Sequence, residues 1–172
     1  MFWENVKIRI TAVAIQYGQA QKKDISNIAK SAYYRSATML ASTIVEGMVY
    51  QLVKENTKTK RNIISNIKQL KKLHSIPKAI FNRKNIFICK ESEKDVHIDD
   101  DGVTFDRLNA FLKNKGIITA EEFKKLDYVR VERNKLHLQG LNKRDTGYTK
   151  SKLKKASDSI DFLSKKLQKF SS

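Results

Sequence analysis

The sequence is short of the residues that stiffen, turn or cross-link a chain. It has one cysteine in 172 residues, Cys89, so no internal disulfide can form, and a reducing, cytoplasmic setting is expected. It has one proline, Pro77, and six glycines. That is too few tight-turn residues for an all-β sandwich, and it favours long helices. No Gly-rich phosphate loop is present, which argues against P-loop nucleotide hydrolysis. Acidic residues are also scarce, 18 against 35 Lys and Arg, giving a formal net charge of +17. Such an excess draws polyanions, with RNA, DNA, an acidic protein partner and an anionic membrane surface as the candidates, against the plainer reading of a charged, solvated surface. The N-terminal stretch carries Glu4, Lys7 and Arg9 in its first ten residues and does not read as a signal peptide. The most apolar stretch, Ser36 to Val53, holds the charged Glu46 and several Ser, Thr and Gln residues. It reads as a buried helix, not a membrane span, and no membrane association is expected.

What is present is helical periodicity. Phe2, Val6, Ile10, Val13 and Tyr17 recur at steps of three and four, one stripe of a helix over 2–21. A second helix starts near Asp24 or Ser26, either able to cap it. It runs to about Lys54, apolar on nearly every side. From Lys54 to Lys90 the sequence is basic, with Glu55 the one acid. Ile63, Ile64, Ile67, Leu70 and Leu73 are spaced like a shorter amphipathic helix stopped by Pro77. This basic stretch is suited either to tracking an RNA backbone or to forming a solvated face. Ile86–Ile88 and Val96–Ile98 are β-prone runs, so 85–102 reads as a small hairpin insertion closed by the acidic turn Asp99-Asp100-Asp101-Gly102.

Thr104 caps the next helix, which carries Phe105, Leu108, Phe111 and Leu112 and ends at Gly116. Thr119-Ala120-Glu121-Glu122 has capping-box spacing and starts a helix through Phe123, Leu126, Val129, Arg133 and Leu136, with Gly140 just past its end. Gly147-Tyr148-Thr149 opens a last helix with Leu153, Ala156, Ile160, Leu163 and Leu167 on one side. The expected fold is a single all-α domain over 1–172, a bundle of five to six helices.

One helix breaks the pattern. At about 100° per residue, Leu126, Val129 and His137 lie within about 40° of Arg133, and Arg130 and Leu136 within about 60°. Two arginines and a histidine therefore share the apolar stripe. Turning a guanidinium toward a core demands a counter-charge or an aqueous cleft. Glu46 is the only ionised residue between Arg35 and Lys54, and it too needs a partner. A pair between Glu46 and Arg133 or Arg130 satisfies both. His74, Cys89 and His97 match no compact zinc spacing, and neither a metal nor a cofactor is expected.

The segment Arg133-Asn134-Lys135-Leu136-His137 resembles the signature of HEPN domains (higher eukaryotes and prokaryotes nucleotide-binding). The surroundings resemble them too: a long apolar second helix with the mid-helix acid Glu46, then Gly116-Ile117-Ile118 ahead of the signature helix, then a closing helix. Three residues separate Arg133 from His137, against the usual four to six, while six separate Arg130 from His137. Either Arg130 is the signature arginine or Arg133 serves with compact spacing. The resemblance implies a homodimeric, metal-independent endoribonuclease in which Arg133 or Arg130 stabilises phosphate charge and His137 moves protons. Asn134 would orient the histidine or a phosphate oxygen, and Glu46 would hold an arginine. The alternative is a non-catalytic HEPN-like module that binds nucleic acid or protein. The resemblance also implies a toxin–antitoxin or phage-defence role, with an antitoxin or other inhibitor protein as a further partner.

Overall fold

The computed structural model describes residues 1–58, 63–81, 84–138 and 147–170, with side chains except within 66–88 and 136–138. Five α-helices and one two-stranded antiparallel sheet are present among the described residues. They are α1 (Phe2–Ala20), α2 (Asn27–Thr57), β1 (Ile63–Phe81), β2 (Lys84–His97), α3 (Phe105–Asn114), α4 (Ala120–Leu138) and α5 (Lys150–Gln168). The architecture is the all-α bundle with a hairpin insertion that the periodicity predicts. No described helix is long and apolar enough to cross a membrane.

Helix α2 is the axis. Its 31 residues span roughly 46 Å, and α1, α3, α4 and α5 all pack on it. Ser26 caps it, its hydroxyl accepting from the Ala29 N–H at 3.2 Å. Ala37, Ala41, Val45, Met48, Val49, Leu52 and Val53 are completely buried. The hydroxyls of Thr38, Ser42 and Thr57 are buried with them, but each donates to the carbonyl four residues back, at 2.7, 2.8 and 2.9 Å. This internal bonding lets polar residues enter the core without an unpaired group.

The corner between α3 and α4 follows its local code. Gly116 takes φ +67°, and the Ile117 N–H reaches the Leu112 carbonyl at 2.9 Å while the Gly116 N–H reaches Lys113 at 2.9 Å. This is a Schellman ending, with buried Leu112 beneath half-buried Ile117. Two residues later the capping box closes: Thr119 N–H donates to Glu122 Oε2 at 2.7 Å and Glu122 N–H to Thr119 Oγ1 at 3.1 Å. Thr104 occupies the N-cap of α3 without capping a backbone N–H. Its hydroxyl instead bonds the Asp106 carboxylate, and that bond holds Asp106 below its ordinary pKa. Lys166 of α5 staples the corner, donating to the Ile117 carbonyl at 2.9 Å and pairing with Glu122 at 3.1 Å. Gly140, expected just past α4, lies outside the described residues.

The helix expected over Ile63–Leu73 is a strand. Its isoleucines have helical spacing, but β-branched residues also suit a strand, and pairing with β2 supplies a hydrogen-bond ladder that decides the outcome. Pro77 does not terminate the element. In a two-stranded ribbon every strand is an edge, where a missing N–H is tolerated. The hairpin is correspondingly longer than the 85–102 reading. Both β-prone runs begin on β2, Lys90–Asp95 continues the strand between them, and the partner is β1. β1 is longer than β2, and the excess falls at three register shifts, between Ile63 and Ser65, Lys72 and His74, and Ser75 and Ile80. The largest shift brackets Pro77.

The ribbon is rooted at one end. Ile64, Val96 and Ile98 belong to the core. Asp100 turns the chain beyond β2, accepting from the His97 N–H at 2.9 Å. The Tyr50 hydroxyl of α2 donates to Asp99 Oδ1, and that bond to a carboxylate raises the tyrosine's pKa.

Gly116→Ala forces a Cβ into the left-handed region, a cost of about 1 kcal/mol. Denaturant unfolding is expected to show that loss, with a smaller one for Gly116→Asn, since asparagine visits this region more readily.

Candidate functional site

Where α4 crosses α2, Arg133 and Arg130 are placed differently. Arg133 Nη1 donates to Glu46 Oε1 at 3.0 Å. The side chains are 30% and 35% exposed, so the pair lies at the rim of the core. Of the two arginines proposed for Glu46, Arg133 is the one that reaches it. Arg130 turns along its own helix, placing Nε and Nη2 at 2.9 and 2.8 Å from Asp127 Oδ1. This i, i+3 pairing competes for the guanidinium and keeps it off Glu46.

Both arginines still line one small cavity with Ser42, Glu46, Phe105 and Val129. Its volume is about 10 Å³, about the space of one water molecule. The Nε–H of Arg133 is buried beside it, with no acceptor among the described residues. Asn134 is exposed on the next position of the helix. His137 falls in the last turn of α4, one helical turn beyond Arg133; its side chain lies outside the described residues. The arginine and the acid are thus brought together, Asn134 faces solvent, and Arg130 is held separately.

The sequence reading missed Glu132. This carboxylate is only 4% exposed, which makes it the most deeply set charge on the described part of α4. It accepts from Lys135 Nζ at 2.8 Å, and its other oxygen forms an ion pair with Lys152 Nζ of α5 at 3.0 Å. Burial pushes its pKa upward, but the two ammonium groups more than offset that and leave it below the ordinary value. Neighbouring residues thus commit α4 in two directions. Glu132 fastens it to α5, and Arg133 fastens it to α2. Glu132 lies about 100° from Arg133 on the wheel, at the margin of the stripe, where an acid passes for a solvated residue. The signal available was Lys152, a lysine directly preceding the apolar Leu153 of α5.

The residues weighed as metal ligands lie on the ribbon. His74 sits opposite Ile88, next to the exposed Cys89, while His97 pairs with Ile63 near the bundle at the other end of the ladder, so the register does not bring the three together. Among the described residues no cluster of three or more His, Cys, Asp or Glu could hold a metal ion. No family model, curated protein or solved structure matches the chain.

Two outcomes are expected. A double-mutant cycle on Glu46→Gln and Arg133→Gln will give a coupling of about 0.3–1 kcal/mol, since both side chains are about one-third open to water. Glu132→Gln will flatten the acid limb of the stability profile. Free in the unfolded chain, this carboxyl titrates near pH 4.5, and in the folded chain it titrates lower. Its contribution is therefore complete above pH 4.5 and is lost as pH falls through the lowered folded value. Thermal melting between pH 6 and 3 will thus fall less in the variant than in the native protein.

Proposed function

We propose that the chain is a metal-independent endoribonuclease of the HEPN type, with Arg133 and His137 as its working pair. The observation that carries this reading is the tether between Arg133 and Glu46. It fixes a fork-shaped cation at the rim of the bundle, partly open to water, with a histidine four residues further along the same helix. In the reaction, the RNA 2′-hydroxyl attacks the adjacent phosphorus as its proton passes to a base. The 5′-oxygen leaves and takes up a proton, and a 2′,3′-cyclic phosphate remains. A histidine titrating near neutrality suits the proton transfers. A guanidinium suits the charge that gathers on the phosphate oxygens. Asn134, exposed beside Arg133, is available to orient His137 or a phosphate oxygen.

The cavity behind the arginines is too small for a nucleotide, so the substrate would lie on the outer side of the pair. A second copy of the chain would close that side, with two α4 helices facing one slot. The intracellular role as a toxin or phage-defence effector, restrained by an inhibitor protein, rests on the resemblance alone.

A second reading is favoured by a specific observation. Glu46 already neutralises much of the Arg133 charge, as in a structural ion pair. On that reading the chain is a HEPN-like module that binds nucleic acid or protein without cleaving it.

Incubation of a mixed RNA in excess EDTA separates the two. The native protein is expected to cleave, leaving cyclic-phosphate ends, while His137→Ala abolishes the products. Arg133→Ala is expected to be as damaging and Arg130→Ala milder. If Arg130→Ala proves the more damaging, the arginine role passes to it. Absence of cleavage by folded, dimeric protein leaves the binding-module reading.

A further inference from the structure

The hairpin is a candidate that the catalytic reading leaves unused. Its root lies in the core through Ile64, Val96 and Ile98. Above Val96, both faces of β2 meet solvent. Lys90, Glu91, Glu93, Lys94 and Asp95 are all exposed, and successive residues of a strand point to opposite sides. The strand therefore leaves the bundle instead of lying on it. From Asp95 to Lys84, at about 3.3 Å per residue, the ribbon extends roughly 36 Å. A two-stranded hairpin of that length is at best marginal by itself in water.

Charge divides along its length. The acids Glu91, Glu93 and Asp95 sit near the root, where the register sets Glu93 opposite Lys68 and Lys94 joins them. Beyond the Leu70–Glu91 pair no acid remains among the described residues of either strand, while Lys71, Lys72, Lys78, Lys84 and Lys90 do. Lys71 and Lys90 stand directly opposite each other. Like charges at such cross-strand positions repel. The arrangement is unfavourable in isolation and favourable once an external polyanion is present.

We infer that this ribbon is a nucleic-acid-binding arm that grips the phosphate backbone of a duplex through the lysines of its outer half. From Lys90 to Lys84 the cationic section of β2 covers roughly 20 Å. A duplex presents one negative charge per about 1.7 Å of axis, so an extended cationic rod meets many phosphates at once. A two-stranded ribbon also has the width that the B-form major groove, about 12 Å across, admits. An A-form RNA duplex closes its major groove and would be held across its shallow minor groove instead. A second copy of the ribbon is a poor occupant, since it brings the same lysines.

The arm is separable from the cleavage chemistry. A DNA duplex lacks the 2′-hydroxyl that the proposed reaction uses, so its binding can be measured whether or not the chain cuts RNA. Fluorescence anisotropy with a DNA duplex, an RNA duplex of the same sequence and the single strands, titrated between about 50 and 200 mM salt, reads the number of phosphate contacts. The full-length chain is expected to bind the duplexes. Changing Lys71, Lys72, Lys84 and Lys90 together to Gln is expected to weaken DNA binding at least tenfold and to reduce the salt slope by about 3. Changing Lys22, Lys23, Lys124 and Lys165 to Gln removes equal charge from α4, α5 and the turn between α1 and α2, and is expected to leave that slope within about one unit. The DNA and RNA arms establish which duplex the ribbon holds. Circular dichroism confirms that both variants keep the helical bundle. The inference is overturned if native protein binds no duplex, if the ribbon variant binds with an unchanged slope, or if both variants lose affinity equally. Binding to phosphatidylglycerol vesicles in place of nucleic acid would overturn it too.

Discussion

Every other described helix rests on α2, and its buried hydroxyls are satisfied from within the helix. A helix packed against four others buries much of its surface, and a hydroxyl on that surface needs a partner inside the protein. Thr38, Ser42 and Thr57 meet that condition by bonding back to their own helix. Glu46 cannot, because a carboxylate has no proton to donate to a carbonyl. It must be met from another element, and Arg133 of α4 meets it. Leu126 and Val129 seat α4 in the core, and the pair with Glu46 adds one polar tie between α4 and α2 at its rim. Glu132 sets the other side of the same helix through Lys152. The two ion pairs thus agree with the apolar stripe of α4 in holding Arg133 toward α2 and Glu132 toward α5.

Most of the helical architecture was legible because helices are specified locally. The Ser26 cap, the Thr119–Glu122 capping box and the Gly116 ending each lie within a few residues of what they control, and their side-chain chemistry carries a direct signal. The stripe on α4 likewise identified Glu46 as the partner of an arginine, since two isolated charges on apolar faces have few other ways to be satisfied. The choice of Arg133 over Arg130 was not legible. It depends on Asp127 taking Arg130 one turn back, a competition that a wheel does not weigh.

The second strand of the hairpin was legible in its β-prone runs, but the first was missed for the opposite reason. Nothing within Ile63–Phe81 states that it is extended. The isoleucines fit a helical stripe, and the decision comes from β2, whose residues pair with it across the chain. Pro77 misled for the same cause, since it would end a helix but only widens a bulge in a two-stranded ribbon. Glu132 was overlooked because its burial is created by α5, a helix that begins some eighteen residues further along the chain.

The uneven lengths of β1 and β2 have a further consequence. A free ribbon exposes two rows of unpaired backbone groups, each a template on which another chain could add a strand. Here the longer strand is interrupted three times, once around a residue with no N–H to offer. Each interruption breaks the ladder and increases the local twist, so the regular pairing of that edge is confined mainly to Ser65–Lys72. The opposite edge carries Lys84, Lys90 and Lys94, which repel an identical strand approaching from another molecule. The irregularities that obscure this segment in the sequence thus work against edge-to-edge pairing of a long, partly apolar hairpin.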